Sequence, residues 1–96
     1  MTQEYIVGQF STLLGELQTS LGEYSAVVSQ LRREVESSPV RYLPDLVSKA
    51  LGLTEVMCWA ALERGDAAGF DCCATAASAL WDFADSAGLL PSGADV

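Results

Sequence analysis

Cys58, Cys72 and Cys73 are the only thiols in a chain of 96 residues that contains no histidine. That combination narrows the available chemistry at once. The commonest general base and the commonest imidazole metal ligand are both missing. A zinc site draws about four ligands from Cys and His, and three cysteines, two of them adjacent, form no such pattern. A cysteine nucleophile needs a neighbouring base or a helix N-terminus to lower its pKa. Here Cys58 falls in the middle of an expected helix, and Cys72 and Cys73 fall well inside the next one. The odd count leaves one thiol unpaired. All three are therefore expected to be reduced and to fill small spaces in the core.

Helical metal enzymes use acids one turn apart. Asp82 and Asp85 have that spacing and Glu63 and Asp66 lie close to it, while Glu16 and Glu23 sit away from the apolar side of their helix. Such exposed acids solvate a surface unless several helices bring them together. No catalytic residue, no metal ligand and no cofactor is assigned, and the chain is expected not to be an enzyme. Arg64-Gly65-Asp66 is the tripeptide that integrins read on extracellular loops, but its Gly and Asp are accounted for by ending one helix and capping the next.

The aromatic residues carry the remaining possibilities. Aromatics at helical spacing first of all make core. Trp81 and Phe83, two residues apart, differ by about 200° around a helix and cannot both face inward. Trp59, Trp81 and Phe83 are therefore candidate partner-facing aromatics, because aromatics are enriched in binding hot spots. A small-molecule site around Trp59, Phe70, Cys73 and Trp81 is the alternative, and it requires an enclosed pocket with converging polar groups.

The elements that position these residues are helices throughout. Val7, Phe10, Leu14, Leu17, Leu21, Tyr24, Val28, Leu31 and Val35 alternate in steps of three and four, the spacing of a coiled-coil seam. They predict one long helix over about 3–36, stopped by Ser-Ser-Pro at 37–39. A second helix is expected over about 44–64, opened by Pro44 and Asp45 and with a candidate kink at Gly52. A third is expected over about 67–87, between the cap Asp66 and the stop at Gly88 and Pro91. No segment alternates as a strand. The expected fold is all-α, with the two shorter helices folding back on the long one as an antiparallel bundle. A single domain takes residues 1–90, followed by a C-terminal tail over 91–96.

Length sets up an expectation about self-association. A helix over 3–36 extends about 50 Å, against about 30 Å for the other two. Val7, Phe10, Leu13, Leu14 and Leu17 would then have no partner within the chain. Leaving them wet forfeits about 1.5–3 kcal/mol per large side chain. Those five residues are accordingly assigned to a homodimer interface. Gly8, Gly15 and Gly22 recur seven residues apart, nearly opposite the Phe10–Leu17–Tyr24 column. They mark either a weakly specified solvent face or a groove for close packing by another backbone.

Bulk composition bounds the partners. The net charge is −8, with five Lys and Arg against thirteen Asp and Glu, so binding to a phosphate backbone is not expected. No apolar run spans a bilayer and no basic cluster opens an export signal, so neither a membrane nor a secretory address is expected and the chain is placed in the cytoplasm. The function expected is a non-catalytic protein–protein interaction module, an adaptor, assembly factor or regulator acting as a helical homodimer. The alternative is an acidic inhibitor of the immunity type that blocks a basic partner.

Overall fold

The computed structural model describes residues 3–90. Among them the fold is all-α, with four helices: α1 Gln3–Gln18, α2 Ser25–Ser37, α3 Leu43–Arg64 and α4 Ala67–Ala87. Single 3-10 turns at Gly22–Tyr24 and Val40–Tyr42 lead into α2 and α3. The expected tail over 91–96 lies outside the described residues.

The long helix expected over 3–36 is corrected. It breaks after Gln18, and the second half folds back on the first as α2. Local chemistry makes the break. Thr19 Oγ1 and Ser20 Oγ both donate to the Glu16 carbonyl, at 2.9 and 3.3 Å, taking up an acceptor the helix end leaves free. Leu21 then adopts an extended conformation, φ −139° and ψ 111°, and buries its side chain, and Gly22 starts the 3-10 turn. The apolar steps of three and four run on across the turn because both halves face the same interior.

This fold-back covers the strip that was assigned to a dimer. Phe10, Leu14 and Leu17 are fully buried within the chain, and Val7 and Leu13 are partly buried against the same core. Burial of each large side chain contributes about 1.5–3 kcal/mol, the gain a second copy was invoked to supply. The chain makes it internally, which removes the reason for a second copy at that strip.

The second expected helix is α3, which runs uninterrupted through Gly52 from Leu43 to Arg64. Pro44 sits in its first turn and Asp45 faces its positive end. Gly65 closes it in the left-handed conformation, φ 71°, which a glycine adopts at no steric cost. Asp66 caps α4, its Oδ1 accepting from the Gly69 N–H at 2.8 Å. Gly88 ends α4 in the same way as Gly65 ends α3.

In the interior, α1 lies between α2 and α4, and α4 between α1 and α3. Small buried side chains, Ala50, Ala61, Cys73 and Ala84, accompany the close approach of α3 and α4. Phe10 and Phe83 supply bulk on the α1 side, their rings 5.5 Å apart and tilted by 40°. The fourth side of the ring is different: α2 and α3 touch far less than any of the other three neighbouring pairs. The Cα trace is flattened accordingly, 39 × 31 × 17 Å.

Candidate functional site

The open side between α2 and α3 is built from the outward face of α3. Leu43, Leu46, Val47, Ala50, Met57 and Ala61 point into the core. At 100° per residue, Gly52, Val56, Trp59 and Glu63 then fall on the opposite stripe. That stripe is apolar in its middle and exposed: Val56 is 53 % and Trp59 59 % accessible. Beside it, on the side where α3 meets α2, Val27 of α2, 53 % accessible, shares a recess with Leu31 and Leu53.

Two recesses lie in succession along α3. One, of about 220 Å³, is lined by Val27, Gln30, Leu31, Glu34, Lys49 and Leu53. The other, of about 370 Å³, is lined by Tyr24, Gly52, Glu55, Val56, Trp59, Ala60 and Glu63. Across this groove Val27 and Leu31 of α2 line one recess with Leu53 of α3, and an ion pair stands at each end. Lys49 Nζ donates to Glu34 Oε1 at 3.0 Å at one end, and Arg64 pairs with Glu23 at the other. These are the only two ion pairs among the described residues; the first joins α2 to α3, and the second joins the 3-10 turn before α2 to the end of α3. Glu55 and Glu63 remain exposed on the rim.

The candidate aromatics separate cleanly. Trp59 and Trp81 are more than half exposed, whereas Phe83 is 8 % accessible and stacked in the core against Phe10. Phe83 is therefore corrected to a core residue. The small-molecule arrangement is not assembled: Trp59 lines the α2-side groove, Phe70 a separate recess at the α3–α4 turn, and Cys73 is fully buried.

The heptad glycines do not share a groove either. The break puts Gly22 in the turn, and the positions of added Cβ atoms at Gly8 and Gly22 are open. Gly15 alone is covered, by the Arg32 guanidinium, whose Nη1 would stand 3.3 Å from a Cβ there. Arg32 reaches across α1 to donate to Ser11 Oγ and Gln18 Oε1, both at 3.4 Å, and Ser11 in turn donates to Glu36 Oε2 at 2.7 Å. That glycine makes room for a polar bridge between α1 and α2.

The thiols and acids sit as follows. Cys73 is buried and its thiol donates to Cys58 across the α3–α4 contact. Burial pushes both thiols above the ordinary range, most directly by disfavouring the thiolate; the neighbouring Cys58, Cys72 and Asp66 push Cys73 further. Cys72 is exposed. Asp82 and Asp85 are exposed on the outer side of α4, and among the described residues no three of His, Cys, Asp and Glu come together as a metal group. Asp66 of the Arg-Gly-Asp tripeptide is engaged as the α4 cap.

Sequence inspection missed Val27, Leu53 and Val56 as surface residues. For Leu53 and Val56 the signal was present in α3, which carries Leu51, Leu53, Val56, Trp59 and Leu62 beyond the stripe needed for one buried face. A helix that is apolar nearly all round is either enclosed or binds something. No protein-family model, curated protein or solved structure matches this chain. No helix among the described residues is long and apolar enough to cross a membrane.

Proposed function

We propose that this protein is a non-catalytic interaction module that engages a basic protein partner through the outer face of α3. The observation that carries this reading is the exposure of Val56 and Trp59 between Glu55 and Glu63. Large exposed aromatics surrounded by polar groups are the usual anchors of protein interfaces. The surrounding carboxylates and the net charge of −8 favour cationic partners and speed their encounter. An inhibitor that covers a basic active site is one form of the same reading, and it differs in that the captured partner would lose its activity on binding.

The test is quantitative affinity capture from the native host with the wild-type chain and with Val56→Glu and Trp59→Ala. Both positions are more than half exposed, so neither change should disturb the fold. A basic protein enriched on the wild type and lost on both variants supports the proposal. An identical set of captured proteins on all three baits removes the α3 face from consideration.

A further inference from the structure

We infer that the groove that α3 forms with α2 and with the 3-10 turn leading into α2 receives a basic amphipathic helix of about four turns, laid along α3 with its apolar stripe on Val27, Leu53, Val56 and Trp59. The inference rests on the interaction-module reading and specifies its partner. Three features of the groove support it.

The first is shape. The groove runs between two helices of a ring that is closely packed on its other three sides. Its two ends are marked by the Glu34–Lys49 and Glu23–Arg64 pairs. Along α3 from Lys49 to Arg64 that is about 22 Å, the length of a helix of about 15 residues. An added helix would complete the side of the ring that α2 and α3 leave open.

The second is the chemistry of the walls. Apolar side chains line the middle, and Glu34, Glu55 and Glu63 stand at the edges, with Lys49 the cation among them and paired to Glu34. A helix with leucine-like residues at i, i+3, i+4 and i+7 and Lys or Arg on its flanks matches both. Charge argues against the other occupants. A second copy related by a two-fold axis would bring a rim carrying Glu55 and Glu63 against its own image. An anionic bilayer would meet the same carboxylates.

The third is the nature of the links across the groove. Both are exposed ion pairs, which contribute little and are screened by salt. The cationic flanks of an incoming helix can take over Glu23 and Glu34 from Arg64 and Lys49 without uncovering any core residue.

The experiment uses the full chain carrying Trp81→Phe, so that Trp59 is the sole tryptophan. The probes are two synthetic Leu/Lys peptides of about 15 residues, matched to the groove length. One gathers its leucines into a single stripe, and the other has the same composition with the leucines distributed around the helix. The striped peptide is expected to shift Trp59 emission to the blue and to bind about ten-fold or more tightly than the distributed one. Val27→Glu and Val56→Glu, both at half-exposed positions, are each expected to weaken it by about ten-fold. Equal binding of the two peptides, or indifference to both substitutions, overturns the groove while leaving the acidic surface as a binder of basic proteins. No Trp59 response to the striped peptide also overturns it. So does a shift produced by phosphatidylglycerol vesicles alone, or by self-association that Val56→Glu disperses, since each assigns the groove to another occupant.

Discussion

Two glycines in helices of this protein should respond oppositely to the same methyl group. Gly8 lies inside α1 with nothing within 4 Å of an added Cβ, so Gly8→Ala gains only the difference in helix propensity, about 1 kcal/mol. For a domain of this size that is a rise in Tm of about 4–8 °C. Gly69 also lies inside a helix, but a Cβ there would stand 2.5 Å from Asp66 Oδ2, 2.8 Å from Asp66 Cγ and 2.9 Å from Leu21 Cδ2. Asp66 is the α4 cap, worth about 0.5–2 kcal/mol, and Leu21 is the buried anchor of the α1–α2 turn. Overpacking of that kind costs about 1–3 kcal/mol. After the propensity gain is subtracted, Gly69→Ala should destabilise by about 0.5–4 kcal/mol. Thermal and urea unfolding followed by far-UV circular dichroism measure both. In an Asp66→Ala background the cost of Gly69→Ala should shrink, because one of its two obstacles has gone. A Gly69→Ala protein that melts at or above the wild type would refute the close approach of the turn, the cap and α4.

Further expectations concern thiols, aromatics and the turn. Cys72 should be alkylated in the native protein while Cys73, fully buried, reacts only on unfolding, as mass spectrometry of the labelled chain would show. Because burial raises Cys58 and Cys73 above the ordinary 9.0, the unfolded chain ionises first. Their contribution is intact below pH 9.0 and is lost as pH rises through the folded-state values, so urea midpoints should fall above pH 9.0, and less steeply in Cys58→Ala/Cys73→Ala. Phe83→Ala should cost about 3–5 kcal/mol, whereas Trp81→Ala should stay within about 0.5 kcal/mol; equal effects would contradict their assigned sides. Replacing Thr19, Ser20 and Gly22 together by Ala adds about 2 kcal/mol of helix propensity across the turn. It should convert α1 and α2 into one helix and yield a swapped dimer in sedimentation, and a variant indistinguishable from wild type would show that Leu21 alone holds the turn.

Helix ends that depend on local chemistry were legible from the residues. Asp66, Gly65 and Gly88 perform their capping roles within one or two neighbours, so α4 has the expected bounds, 67–87, and α3 starts one residue from its expected first position. The turn at 19–24 was not legible, for a reason specific to these residues. The apolar spacing is unbroken from Val7 to Val35, and periodicity reports which side of a helix is buried, not whether the helix continues. Thr19, Ser20 and Gly22 are individually weak breakers. They prevail because folding back buries Phe10, Leu14 and Leu17, a gain set by tertiary contact and invisible to any window of sequence.

The candidate groove shows the same division between local and distant information. That Trp81 and Phe83 cannot both face inward follows from helical geometry alone, whereas the exposure of Trp59 does not. Choosing Phe83 as the buried one requires Phe10 on α1 as its ring partner, 73 positions away in the chain. Val27 becomes part of a groove only once α3 lies alongside α2 and brings Leu53 to it. The groove exists because α3 carries more apolar surface than one buried face requires, and α2 and the 3-10 turn before it each reach α3 through one exposed ion pair. A closed ring would have placed apolar side chains between α2 and α3 where Glu34, Lys49, Glu23 and Arg64 stand. Exposed pairs of this kind contribute about 0–1 kcal/mol each, so separating them costs the fold little. The α2–α3 side is therefore the one the fold can most readily yield to a partner.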